Sequence, residues 1–134
     1  MKSGDLINVN TNAKLLNKLL GTDYKQWYKS TCLYGYDTMV WMACLDGQVR
    51  GGFKNFKQGE RIIEQYIGPA GKLPDSFDLG WKVLKRLVFE KIPYCNSHYY
   101  VFLGVYKLEN DENNHWRRTL VKVSDEFHFP HLMQ

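Results

Sequence analysis

The period of the hydrophobic positions changes several times along the chain, and the changes predict an alternation of extended and helical segments. Residues 5–9 have the composition of a short strand. Residues 13–20 carry their leucines on one stripe and their lysines on another face, which predicts an amphipathic helix that Asn12 caps and Gly21 ends. Aromatic residues at helical spacing predict a second, short helix at residues 24–29.

The middle of the chain has the texture of β-structure. Residues 39–45 form a short apolar run followed by Asp46-Gly47, a dipeptide typical of two-residue hairpins, so the return strand is expected from residue 48. Gly51-Gly52 indicates a bulge or a close backbone approach. Residues 62–67 again have strand composition.

The second half begins with a glycine- and proline-rich loop at residues 68–75. Residues 80–92 predict a helical start and an extended finish. Residues 99–108, β-branched and aromatic throughout, are the clearest strand of the chain. The polar run 110–114 predicts a hairpin loop, and residues 116–123 then form the partner strand.

These elements predict one α+β domain spanning residues 1–134. Neither half of a chain of 134 residues is long enough to own a good core, and the hydrophobic content of 44% is sufficient for a packed structure. Strands separated by hairpin turns favour a small curved antiparallel sheet or a partly open β-barrel, with two or three flanking helices.

Composition and charge indicate which kind of partner and which cellular compartment to expect. The formal net charge of +4 is compatible with a polyanionic partner without demanding one. The three cysteines are widely spaced and the N-terminus lacks the apolar run of a signal peptide, so a reducing, cytoplasmic compartment is expected. Charged residues interrupt every hydrophobic segment, so no membrane partner is expected.

No motif for catalysis or cofactor binding is visible, so a non-enzymatic role without cofactor or metal is expected. Cys95 and His98 are three residues apart, as are His128 and His131, but a structural zinc site usually has two tight pairs in turns. Glu-x-Lys clusters and glycine-rich phosphate loops are missing. A nuclease or hydrolase site assembled from scattered residues stays open as an alternative.

Basic side chains interleaved with aromatic ones are the remaining chemical signal. Many β-sheet modules bind nucleic acid by stacking bases on aromatic rings and holding phosphates with Lys and Arg. The residues predicted to contact phosphates are Arg50, Lys54, Lys57, Arg117 and Arg118. Tyr34, Tyr36 and Trp41 form an aromatic cluster that is predicted to line a pocket for a flat ligand such as a flipped base.

The strand at residues 99–108, followed by a polar loop, Trp116-Arg117-Arg118 and residues 123–127, resembles strand pairs in PUA-like domains, a superfamily that includes the SRA and EVE modules. The opening Gly4-Asp5-Leu6-Ile7 is similar in kind to the first strand of such modules. The resemblance covers about a third of the chain. It implies a compact barrel that reads RNA or a modified DNA base, the latter by enclosing a flipped base in an aromatic cage.

The leading hypothesis is therefore a small module that binds DNA or RNA and reads a modified base. A second hypothesis is a protein-binding or ligand-sequestering factor, such as a phage or mobile-element protein that blocks a host defence protein. In that case the exposed aromatic residues would anchor a protein interface. The two hypotheses differ in whether a nucleic acid or a host protein is the partner.

Overall fold

A computed structural model of the chain describes residues 1–68, 85–109 and 117–132. The described part holds one α-helix, α1 (Asn12–Leu20), a 3-10 turn at Pro130–Leu132 and nine β-strands. In chain order the strands are β1 (Leu6–Ile7), β2 (Thr31–Leu33), β3 (Thr38–Ala43), β4 (Asp46–Arg50), β5 (Phe53–Gln58), β6 (Arg61–Tyr66), β7 (Lys85–Tyr94), β8 (Ser97–Leu108) and β9 (Arg117–Ser124).

The strands form a single open sheet in the order β2-β3-β7-β8-β9-β6-β5-β4, and β1 pairs with β8. The sheet curls strongly. Lys57 on β5 and Glu90 on β7 are separated by four strand steps, or about 19 Å on a flat sheet. Their side chains nevertheless form an ion pair of 2.8 Å across the inner surface. The predicted α+β class with a curved sheet is confirmed.

One strand pair departs from the predicted antiparallel arrangement. β3 runs parallel to β7, and the predicted hairpin at Asp46-Gly47 is wrong, because β4 starts at Asp46 and pairs with β5. The two-residue turn forms instead at Gly51-Gly52, where both residues have positive φ (57° and 84°). That backbone matches the twist of an antiparallel pair, and glycine adopts it without steric cost.

The first predicted helix is confirmed, with a shifted cap. Thr11, not Asn12, is the N-cap, and its hydroxyl accepts a hydrogen bond from the Lys14 amide at 3.1 Å. The leucine stripe is buried. The second predicted helix is wrong, since residues 21–30 contain no helix. Tyr24 and Trp27 stack on each other at 4.8 Å and pack against the core, so their spacing reflects packing rather than helical periodicity.

The predicted strands of the second half are confirmed where they are described. Residues 99–108 lie within β8, residues 86–92 lie within β7, and β9 pairs antiparallel with β8. The predicted helical start near Trp81, most of the loop at 68–75, the polar loop at 110–114 and Trp116 lie outside the described residues.

The two faces of the sheet pack against different parts of the chain. On the helix-side face, defined by Val40, Phe89 and Phe102, the sheet packs against α1 and against Phe129 of the C-terminal segment. On the concave face, defined by Trp41, Val88 and Leu120, the strands pack against one another across the curl. The alternation of neighbouring residues between the two faces is the two-residue period of extended backbone.

Candidate functional site

The concave face contains a cavity of about 250 Å³. At ~30 Å³ for each molecule of liquid water, it has room for about eight waters. It is therefore too large to be a packing defect and has room for a small ligand. The concave-face side chains that line it include Trp41, Phe53, Asn55, Glu64, Arg86 and Arg118.

The strand register places three of the polar side chains in one row. Asn55 on β5 lies directly opposite Glu64 on β6, and Glu64 lies directly opposite Arg118 on β9. Residues directly opposite in an antiparallel pair project to the same face, so the row forms one side of the cavity. Arg86 reaches this row from β7, across the curl of the sheet.

A buried charge cluster forms at the centre of that row. Oε1 of Glu64 accepts hydrogen bonds from Arg86 at 3.1 Å and from Arg118 at 3.4 Å. The side chains of the two arginines are only 4% and 1% exposed, and that of Glu64 is 13% exposed. Guanidinium groups are costly to bury without a partner, so the carboxylate stabilises both. The cluster fixes the position of every charged atom at this end of the cavity.

Arg86 also orders the aromatic wall. Its guanidinium carbon lies 4.9 Å from the centre of the Trp41 ring, within the range of a cation–π contact. Trp41 is 2% exposed and packs against Val88 and Leu120. The ring is therefore held rigidly beside the charge cluster, which is the arrangement of a preformed pocket.

Asn55 contributes an unused hydrogen-bonding group. Its Oδ1 is buried and has no hydrogen-bond partner among the described residues. A buried acceptor without a partner costs about 1–3 kcal/mol. Asn55 lines the cavity, so a small rotation of its side chain would present this acceptor to a bound molecule that donates an N–H or O–H group.

The rim of the cavity carries paired surface charges. Arg50 binds both carboxylate oxygens of Asp46, at 2.6 and 2.7 Å, and this hydrogen bonding lowers the pKa of Asp46 to about 2. Half of the Arg50 side chain is exposed. Arg50 lines the cavity, so a partially solvated guanidinium stands at its entrance.

Of the residues predicted from sequence, three line this cavity: Trp41, Arg50 and Arg118. Lys57 lies on the concave face in its ion pair with Glu90. Lys54 is next to Asn55 in an extended strand and therefore faces the opposite side, near the Phe56 ring at 5.9 Å. Arg117 lies opposite Gln65 and likewise faces away from the cavity.

The predicted grouping of Tyr34, Tyr36 and Trp41 around one pocket is wrong. Tyr34 and Tyr36 lie in the turn between β2 and β3, while Trp41 lies inside β3. Tyr34 packs edge-on against Phe127 at 6.1 Å, on the helix-side core, and Tyr36 is 94% exposed. Only Trp41 belongs to the cavity, because its position in the strand points it to the concave face.

The predicted phosphate contact through Arg118 also needs correction. The Arg118 side chain is buried and bound to Glu64, so in this conformation it does not reach a phosphate at the surface. Its position is that of a group lining the interior of the cavity. Arg117, its neighbour, is partly exposed and keeps the predicted surface location.

Sequence reasoning missed Asn55, Glu64 and Arg86, although two of them leave a signal. Glu64 shares its strand face with Ile62 and Tyr66, and Arg86 shares its face with Val88. A charged residue on an otherwise apolar face of a strand is expected to find a buried partner. That pattern marks each of the two as a residue with an internal partner, while the pairing between them depends on the curl of the sheet.

Metal binding and membrane insertion find no support in the described ranges. Within them, no group of three or more His, Cys, Asp or Glu side chains is arranged to hold a metal ion. The helix that is described there is also too short and too polar to span a membrane.

Comparison with solved structures shows that the chain shares its fold with part of a restriction enzyme. No protein-family model matches the chain, and no curated protein matches its sequence. Among solved structures, the chain superposes on "The 5-Hydroxymethylcytosine-Specific Restriction Enzyme AbaSI" with a TM-score of 0.67 and 16% identity. The match covers 93% of this chain and 40% of that chain. At this identity the likeness shows a shared fold.

Proposed function

We propose that this protein is a DNA-binding module that reads a modified cytosine by enclosing the base in the cavity of the concave face. The observation that carries the proposal is the cavity itself. It combines an aromatic wall, Trp41, with a fixed charge cluster and a buried acceptor that has no partner among the described residues. Enzymes and readers that act on a single base hold it in such pockets by stacking and by hydrogen bonds to its pairing edge.

The polar groups of the cavity complement the pairing edge of cytosine. Cytosine offers an exocyclic amino group as a donor, and its ring nitrogen and carbonyl oxygen as acceptors. Asn55 Oδ1 and the Glu64 carboxylate accept hydrogen bonds, while Arg86 supplies N–H donors beside them. Thymine and uracil present a carbonyl oxygen where cytosine presents its amino group, so in the same orientation they would face Asn55 Oδ1 with an acceptor.

The structural likeness supports the same class of ligand. AbaSI is described as specific for 5-hydroxymethylcytosine, and the present chain shares the fold of part of it. The chain spans 40% of that enzyme, so the proposal concerns reading of the base and does not extend to cleavage. The resemblance to PUA-like modules implies the same kind of function.

The proposal is tested by fluorescence anisotropy with the purified protein and labelled oligonucleotides of one sequence. The panel contains single- and double-stranded DNA with cytosine, 5-methylcytosine or 5-hydroxymethylcytosine at one position, and the matching RNA, at two salt concentrations. We expect micromolar or tighter affinity, a decrease with salt, and tighter binding to one modified DNA than to the unmodified sequence. Equal affinity for every member of the panel, or no binding at low salt, would contradict it.

A further inference from the structure

We call the cavity of the concave face the base cavity. Two further concavities lie beside it, and each shares lining residues with the one before. The base cavity and a middle groove of about 280 Å³ share Cys44, Arg50 and Lys91. The middle groove and an outer groove of about 380 Å³ share Ser97 and His98. The three concavities therefore adjoin one another and form a depression that extends from the base cavity to the β7–β8 turn.

Basic side chains are distributed along this depression. Lys14 lines the outer groove, Lys91 lines the middle groove and the base cavity, and His98 lines both grooves. The outer groove has no acidic residue among its lining residues. The two carboxylates of the middle groove, Asp46 and Glu90, are both engaged in ion pairs.

Aromatic side chains accompany the positive charges. Tyr94 and Tyr99 line the outer groove and lie edge to face, with ring centres 6.1 Å apart. Tyr94 is 66% exposed, which is a large apolar surface to leave in water on a hairpin. Exposed rings next to a positively charged groove are the features with which proteins bind a nucleic-acid strand, through stacking and phosphate contacts.

The spacing of Lys91 and His98 suits a nucleic-acid strand. His98 lies opposite Pro93, two residues along β7 from Lys91. Two residues of extended chain span roughly 6.6 Å, close to two nucleotide steps of ~3.4 Å in one strand of a duplex. Phosphates two nucleotides apart can therefore lie beside Lys91 and His98.

We infer that the depression formed by the two grooves is a track for the nucleic-acid strand that flanks the base held in the cavity. Lys91, Lys14 and the protonated form of His98 contact phosphates along the strand, and Tyr94 offers its ring to a neighbouring base. The inference rests on the proposed function, since it takes the base cavity as the start of the track. It adds a second contact region, which predicts that affinity depends on the length of the strand.

The experiment compares the protein with a Lys14→Gln, Lys91→Gln double variant on oligonucleotides that carry the preferred modified base with no, two or six flanking nucleotides on each side. Lys107→Gln is the matched control, because Lys107 is an exposed lysine at the other end of β8. For the unaltered protein and the control, affinity is expected to rise with flank length. For the double variant the rise is expected to be lost, with a decrease of about 2 in the salt slope on the longest duplex.

The possible results separate the track from the base pocket. If the double variant matches the control at every length while base preference persists, the track is wrong and the proposed function stands. If length dependence follows the lysines but no base is preferred in any variant, the track stands as a strand-binding surface and the proposed function fails. Thermal melts of all three proteins show whether each variant is folded, and the substituted lysines are partly or fully exposed.

Discussion

The two faces of the sheet are formed by the same strands but differ in the side chains that they carry. The helix-side face holds Leu15, Leu16, Phe89, Phe102 and Phe129 in one apolar cluster. The concave face has a smaller apolar cluster and adds a buried carboxylate, two buried arginines and an amide oxygen without a partner among the described residues. Buried polar groups cost stability unless they are fully paired. We infer that the helix-side face stabilises the fold and the concave face binds the ligand.

Phe102→Ala should have the largest effect, and it should act on stability alone. Phe102 is completely buried on the helix-side face, where it packs at 5.1 Å from Phe89. Removing a buried phenyl ring costs about 3–5 kcal/mol. Chemical denaturation is expected to show that loss, while the base preference of the folded protein is retained. Leu33→Ala, at an exposed position, is the control, and an equal loss there would contradict the division between the faces.

Glu64→Gln is expected to reduce both stability and binding. The substitution removes the charge that pairs with Arg86 and Arg118 in the interior, and breaking a buried ion pair costs about 3 kcal/mol. The free energy of unfolding should fall by that amount, and affinity for the preferred base should fall as well. Glu60→Gln, in the turn between β5 and β6, is the exposed control. A stable Glu64→Gln variant with normal affinity would remove the charge cluster from the site.

Asp46→Asn tests the rim, where we expect little change in stability. The Asp46–Arg50 pair is almost half exposed on both sides, so its loss should cost less than about 1 kcal/mol. Because the substitution releases Arg50 and removes a negative charge, affinity for DNA at low salt should increase. The pKa of Asp46 is lowered to about 2, so the carboxylate stays charged and paired as pH falls from 7 to 4. Weaker binding by the variant would show that Asp46 orients Arg50 for the ligand.

The smallest expected effect is a change of affinity with pH through His98. Burial, and secondarily the charge of Lys91, lower the pKa of His98 below its ordinary value of 6.5, so the ring is neutral at pH 7. Its neutral form favours folding above pH 6.5, and that contribution is lost as pH falls through the lowered pKa. A phosphate in the track favours the charged form, so affinity should rise as pH falls from 7.5 to 5.5.

Affinity measurements across that pH range on the protein and on His98→Gln check this prediction. The groups that surround His98 are the Tyr100 hydroxyl at 3.1 Å, Lys91, and the cations of the two grooves, Lys14 and Arg50. The rise should vanish in His98→Gln, because the substitution removes the titrating ring. A rise that persists in the variant would assign it to another group.

Local patterns predicted the elements, while pairing between distant strands decided what lies in the site. The leucine stripe of α1 and the β-branched run of β8 could be predicted from the sequence, because each depends only on residues that are close by in the chain. The hairpin predicted at Asp46-Gly47 is wrong because β3 finds its partners in β2 and β7, and a dipeptide carries no information about those partners. Thus the fold class was predictable, but the parallel pair was not.

The same reasoning explains which residues of the candidate site could be predicted. Trp41 was predicted as one of three aromatic residues that are close in sequence, and it lies in the cavity. Tyr34 and Tyr36 are close to it in sequence, but the turn between β2 and β3 directs them elsewhere. Asn55 gives no sequence signal, because an amide in a half-exposed strand is ordinary. Its importance depends on the register that sets it opposite Glu64.

The most direct test of a base-binding concave face is one measurement on Asn55→Leu, which keeps the approximate shape of the side chain and removes the amide. The free energy of unfolding and the affinities for two duplexes, one with the preferred modified cytosine and one with thymine at that position, are determined for this variant and for the unaltered protein. The account predicts equal or greater stability, by up to about 1 kcal/mol, because a buried acceptor without a partner is removed. It also predicts roughly 10-fold weaker binding to the modified duplex, with binding to the other duplex unchanged. Undiminished preference for the modified base, in a variant of normal stability, would contradict it.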